Sequence, residues 1–200
     1  MTSSDGSDEL LRSSVRQLLD DVGARTTAPG GGAVTGIVAA LAGALATMCG
    51  RFADGESVSA GRRAEELQTK AASLAEADPI VYEAYVRARR DKLDAETVSA
   101  ALDEATRVPL EMAEVSAELV QIAGDLARSG NPRLRGDALT ALFLAAAATR
   151  SATALVRENL ADAGNDARLE IAAALLASVE AAEQTAQSDH QPLTSPPKPT

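Results

Sequence analysis

The sequence predicts an all-α fold, an antiparallel helical bundle of six or seven helices, and three observations carry that expectation. Hydrophobic residues make up 46% of the 200 residues but aromatic ones only 2%, so the core has to be built mainly from Ala, Leu and Val. Ala and Leu lead the helix scale, whereas the β-branched and aromatic residues that strands favour are scarce. Apolar side chains recur at intervals of three and four, the period of one helical face, and no stretch suggests a sheet. A chain of this length suits one domain with a sizeable core.

Residues 1–7 are polar and acidic and are expected to be disordered. From Asp8, the residues Leu10, Leu11, Val15, Leu18, Leu19 and Val22 form an amphipathic pattern that predicts a helix to about Val22. Thr26-Thr27-Ala28-Pro29-Gly30-Gly31-Gly32 follows, a loop in which three glycines let a ligand or another backbone approach closely. It opens into a central helix over about 32–53, with no charged residue from Ala33 to Cys49. Gly36, Gly43 and Gly50 recur every seven positions there, a small-residue stripe that lets a partner helix come close, whether from a second copy or from within. Asp54-Gly55-Glu56-Ser57 reads as a turn and 58–77 as a third helix, with Arg62 and Arg63 on a solvated face. Asp78-Pro79 reads as the start of a fourth, Asp as N-cap and Pro at the first helical position; it carries Tyr82 and Tyr85 to about Arg90. Asp94-Ala95-Glu96 starts a helix to Arg128 that Pro109 should kink near Thr106. Ser129-Gly130-Asn131-Pro132 stops it, Arg133 to Gly136 form a basic loop, and Asp137 opens a helix ending near Leu160. Gly164-Asn165 precedes a last helix over 166–187. The single domain is thus 8–188, and the proline-rich tail 189–200 is expected to be disordered.

Composition narrows function by exclusion. A formal net charge of −10 argues against general nucleic-acid or anionic-membrane binding, though not against an anionic small ligand. The lone Cys49 has no disulfide partner, which fits a cytoplasmic setting, and reads as a small buried hydrophobe. The N-terminus lacks a signal pattern, and the only possible membrane span, 33–49, reads better as a buried bundle helix. His190, the only histidine, lies in the tail and is given no catalytic weight. There is no HxxxH or CxxC, hence no metal and no redox cofactor is expected.

Four stretches carry a resemblance. Thr27-Ala28-Pro29-Gly30-Gly31-Gly32-Ala33, followed by Ala39-Ala40-Leu41-Ala42-Gly43-Ala44-Leu45 and Met48, resembles the opening motif of the cyclodeaminase/cyclohydrolase family. Glu104-Ala105-Thr106-x-Val108-Pro109-Leu110-Glu111 resembles its second stretch, mid-helix proline included. Ser129-Gly130-Asn131-Pro132 to Gly136-Asp137-Ala138 resembles its third, and Arg157-x-Asn159-Leu160 fits the closing part. The resemblance implies an all-α homodimer acting on a one-carbon unit between N5 and N10 of tetrahydrofolate, without a cofactor. Two reactions belong to the family: cyclodeamination, in which N10 attacks a formimidoyl carbon and ammonia leaves, and cyclohydrolysis, in which water opens the methenyl bridge. Both pass through a tetrahedral carbon and need a proton shuttle. A chain of this length without a transferase segment favours cyclohydrolase.

Asp137 is the candidate shuttle, at a helix start with Arg133 and Arg135 close by. It reads either as a helix cap alone or as a cap that also does chemistry, better as a base or cation stabiliser than as an acid, because helix start and arginines favour the carboxylate. Arg135, Pro29, Gly30, Gly31, Gly32, Asp78 and Tyr82 are the candidate substrate-binding residues, the glycines through backbone contact with the pterin or the glutamate tail. One departure stands out. Where the family often carries a threonine-x-glycine stretch with lysines, this chain has Arg51-Phe52-Ala53-Asp54-Gly55-Glu56. That change supports the alternative, a non-catalytic helical binding or scaffold protein that kept the fold.

Overall fold

The computed structural model describes residues 10–26, 28–162 and 164–188, and among them every regular element is a helix. In order these are α1 (Val15–Val22), α2 (Gly31–Arg51), α3 (Glu56–Arg90), α4 (Ala95–Ser129), α5 (Arg135–Asn159) and α6 (Ala167–Ser188), with one 3₁₀ turn at Pro132–Leu134 before α5. The expected all-α bundle is what forms, with six α-helices. The segments 1–7 and 189–200 lie outside the described residues.

Helices α2 to α5 make an up-and-down core, and α6 packs across α4 and α5. Its interior is alanine-rich, as the composition requires: Ala39, Ala46, Ala71, Ala113, Ala145 and Ala152 are essentially inaccessible, with Met112, Leu119 and Leu142 as the largest buried side chains. Small side chains allow close helix approach, and the glycine stripe of α2 takes the closest contact. An added Cβ on Gly36 would meet Ala75 Cβ at 2.7 Å, one on Gly43 would meet Gln68 Cβ at 2.8 Å, and one on Gly50 would strike the Gly61 backbone. The stripe is therefore filled from within, by α3. Buried hydroxyls return to their own helix, as Thr47 Oγ1 to the Gly43 carbonyl and Thr149 Oγ1 to Ala145.

Three expectations are corrected. The segments 58–77 and 79–90 are one 35-residue helix, α3, with Pro79 inside it, so Asp78 is no N-cap of its own helix. The proline rule was overridden by packing, since α3 is held against both α2 and α4 and the turn before Pro79 is buried at Leu74 and Ala75. Asp137 does not open its helix either: the 3₁₀ turn delivers the chain to Leu134 as cap, and Asp137 is the third residue of α5. A second helix besides α2, the stretch Pro132–Asn159, is also long and apolar enough to cross a membrane; both are core helices with about half of the apolar window buried (56% and 50%). At the start of the chain, the described residues place the first helix only from Val15. None of its residues is buried, and Val15 and Leu19 are 74% and 67% exposed.

Candidate active site

Four helices present segments to one cleft at the end of the bundle where α2 begins. A cavity of ≈320 Å³ is lined by Ala28 and Gly30 to Gly32, by Asp78, Pro79 and Tyr82 of α3, by Ala105 and Pro109 of α4, and by Leu155, Glu158 and Asn159 of α5. Both mid-helix prolines line it, so the cleft sits where two long helices each miss a ladder hydrogen bond. Beneath it Leu110, Val156, Leu160, Leu169 and Ala172 form a separate apolar cluster.

Gly30 is the N-cap of α2 and has no side chain to bond the first-turn amides, which have no partner within the helix. Asp78 supplies the missing cap from α3, accepting a hydrogen bond from the Ala33 N–H. Gly32 makes room for it, because a Cβ at that position would land inside the Asp78 carboxylate. Burial pushes the Asp78 carboxyl above the ordinary 3.8, against the smaller opposing effect of the Ala33 N–H. Tyr82, one turn further along α3, shares its face and reaches the cleft while 43% exposed.

The glycine loop, Asp78 and Tyr82 are thus brought together as candidates for one site. Pro29, joined to Ala28 by a cis peptide bond, lines the adjoining groove under α1 with Leu10, Arg12 and Gln17. Asp137 and Arg135 are not brought to the cleft. Asp137 lies in the first turn of α5 and Glu158 near its end, about 30 Å away along the helix at 1.5 Å per residue. Asp137 instead faces Cys49, whose thiol is pushed up by burial first and by the Asp137 charge second. Cys49 is buried, 3% exposed, with its sulfur 3.9 Å from the Leu134 carbonyl. Arg135 lines a second groove with Ala127, Arg128, Gly130 and Pro132. Residue-by-residue reading missed Glu158 as a site residue, and it gave Asn159 no role beyond fitting a motif. Their only local signal is a polar pair closing an apolar helix.

Among the described residues the cleft's lining has two acidic side chains, one phenol, one amide and a set of helix N-terminal amides, with no Lys or Arg. Among the described residues no three His, Cys, Asp or Glu side chains converge as a metal site would require. Such a cleft can hold a cationic or hydrogen-bond-donating group and exchange a proton with it.

Comparison with known proteins assigns this architecture. The sequence profile of formiminotransferase-cyclodeaminase matches residues 14–181. The formimidoyltransferase-cyclodeaminase of Sus scrofa is 33% identical over 175 residues, covering 79% of this chain and 32% of that protein. Its Rattus norvegicus counterpart is 34% identical over 139 residues, covering 61% and 26%. The chain thus spans about a third of the length of the curated relatives it matches. The crystal structure of formiminotetrahydrofolate cyclodeaminase from Thermotoga maritima superposes with a TM-score of 0.83 at 29% identity, over 89% of this chain and 96% of that one. With the profile running from the last residue before α1 into α6 and the same helical fold in the solved relative, this chain belongs to the formiminotransferase-cyclodeaminase family.

Proposed function

We propose that the chain is a folate one-carbon enzyme of the cyclodeaminase type, with Asp78 as its proton carrier. The observation that carries this is a half-buried carboxyl of raised pKa, facing a cleft whose other charged residue is Glu158. Both substrates of the family's reactions present the one-carbon unit as a cation, a methenyl bridge or a protonated formimidoyl group. A cleft with two acidic side chains and no Lys or Arg among its described lining residues favours that charge.

In cyclodeamination N10 attacks the formimidoyl carbon and a C–N bond forms. Asp78, holding its proton where an ordinary aspartate would not, gives it to the departing amine. The C–N bond breaks, ammonia leaves, and the proton lost from N10 restores the acid. In cyclohydrolysis, the second reading, the same group enters as the carboxylate, takes a proton from the attacking water and returns it to N5 as the C–N5 bond breaks. The remaining hydroxyl proton leaves to solvent as the formyl C=O forms. Neither sequence calls for a metal or redox cofactor, and both balance with substrate and water alone.

Asp137 and Arg135 enter this scheme through a second copy. The outward face of α2 and α5 is uncharged along most of its length, with Val34, Leu41 and Phe143 exposed. We infer a homodimer across that face, working in the cytoplasm without a nucleic-acid or membrane partner, as the net charge of −10 favours.

The test is loss of methenyltetrahydrofolate absorbance, together with ammonia release from formimidoyltetrahydrofolate, using purified protein at low buffer concentration. Acceleration of either supports the reading. Inertness in both, with the fold intact, leaves a non-catalytic binding protein.

A further inference from the structure

Helix α4 runs through Pro109, which has no N–H to give to the carbonyl of Ala105 one turn earlier. That carbonyl finds a partner on another helix: Asn159 Nδ2, from the last residue of α5, donates to it at 2.8 Å. A carbonyl oxygen only accepts, so the nitrogen of the amide has to face it, and the two ends of the Asn159 side chain are distinguished by chemistry. Ala105, Pro109 and Asn159 all line the cleft. Asn159 Oδ1 accepts no hydrogen bond from any described residue, yet among the described residues no buried polar side-chain atom lacks a partner. The oxygen is therefore open to the cleft and not shut in the core.

Building on the folate reading above, we propose that Asn159 is a ligand-binding residue of this cleft. The carbonyl that Pro109 leaves without its helical partner orients the amide, and Oδ1 accepts from an N–H donor edge of the bound heterocycle. In a reduced folate that edge is the 2-amino-pyrimidinone side of the pterin. The mid-helix proline thus has a second role besides lining the cleft: it creates the acceptor that holds the amide still.

The two residues can be separated by a cycle of Pro109→Ala, Asn159→Ala and the double variant in the full chain. An alanine at 109 restores the N–H that Ala105 lacks. Asn159→Ala should lower the urea midpoint in the parent and lower it far less in the Pro109→Ala background. Equal losses in both backgrounds overturn the clamp.

Ligand use is read separately, as KM against kcat, or as binding of 5-formyltetrahydrofolate by calorimetry. Asn159→Ala should weaken binding about tenfold, the size of one hydrogen bond, with kcat little changed. Pro109→Ala, in which the amide is released but still present, should show a smaller loss in the same direction. Unchanged affinity in Asn159→Ala overturns the acceptor role even where the stability cycle is non-additive. If the parent protein neither turns over nor binds 5-formyltetrahydrofolate, the folate reading fails and the pterin acceptor falls with it, while the stability cycle still decides the clamp.

Discussion

Asp78 was recognisable as a capping residue from its type and its neighbour Pro79, and it does cap a helix, but the helix is α2 and not its own. No local rule reports a cap delivered from a residue 45 positions away from the amide it bonds. The cost of that position gives a first prediction. The folded carboxyl keeps its proton at a pH where the unfolded chain has released it, because burial raises its pKa above 3.8. Folding stability therefore falls as pH rises from about that value through the folded pKa, then levels off. Asp78→Asn should flatten this fall in a urea-midpoint series and leave the protein at pH 7 at least as stable as the parent. Turnover should drop by about 10²–10⁴-fold, the usual contribution of an acid–base group. Parent-like turnover in a well-folded Asp78→Asn would remove it as proton carrier. The glycines of the loop, alike on paper, separate just as clearly. A Cβ on Gly31 meets only Leu155 Cδ2, at 4.0 Å, whereas one on Gly32 enters the Asp78 carboxylate. Gly31→Ala should fold with parent-like melting. Gly32→Ala should lose about 1–3 kcal/mol by overpacking and lose turnover with it.

Helix positions were the most readable level, because apolar period, Gly-Asn-Pro stops and Asp caps are local signals; Asp94 does cap α4, accepting from the Thr97 N–H at 2.9 Å. Pro79 was the exception. Its missing hydrogen bond reads as a boundary, yet Ala75, the residue whose carbonyl it leaves, is fully buried against Gly36 in the α2–α3 contact. Tertiary packing there outweighs the local rule. The same contact sets the sign of a substitution that is usually favourable. Gly→Ala inside a helix ordinarily stabilises by about 0.5–1 kcal/mol. At Gly36 the added methyl would sit 2.7 Å from Ala75 Cβ and 2.8 Å from its Cα, so α2 and α3 must part. Gly36→Ala should lower the thermal midpoint. Gly136→Ala, in the open first turn of α5 with nothing within 4 Å, should hold or raise it. Melting curves of the pair decide whether close approach of α2 and α3, rather than glycine content, governs stability.

A whole-molecule property lay beyond the reach of motif reading: how far apart two matched motifs end up. The glycine loop and Asp137 look like parts of one site along the chain, and a single bundle puts them at opposite ends. Helices α2 and α5 run antiparallel, with Gly31 beside Leu155 at one end and Cys49 beside Leu134 at the other. Leu41 and Phe143, 55% and 43% exposed, fall near the middle of that uncharged face. A two-fold axis through this middle, perpendicular to the helices, lays each cleft end against the opposite end of the second copy. The acid-lined cleft of one subunit would then meet the segment holding Arg133, Arg135 and Asp137 of the partner subunit, whose arginines would face the folate's glutamate carboxylates and leave the acidic lining to the one-carbon cation. Light scattering on the eluting protein should report a dimer, and Leu41→Glu, which puts a charge at the centre of the face, should give a folded monomer with impaired turnover. Mixing two inactive proteins, Asp78→Asn and Asp137→Asn, under subunit exchange should restore roughly a quarter of the sites, since each mixed dimer then holds one cleft with both carboxylates intact. A monomeric parent with full turnover, or an Asp137→Asn variant that turns over at the parent rate on its own, takes Asp137 out of the chemistry and leaves Asp78 and Glu158 to carry the proton within one subunit.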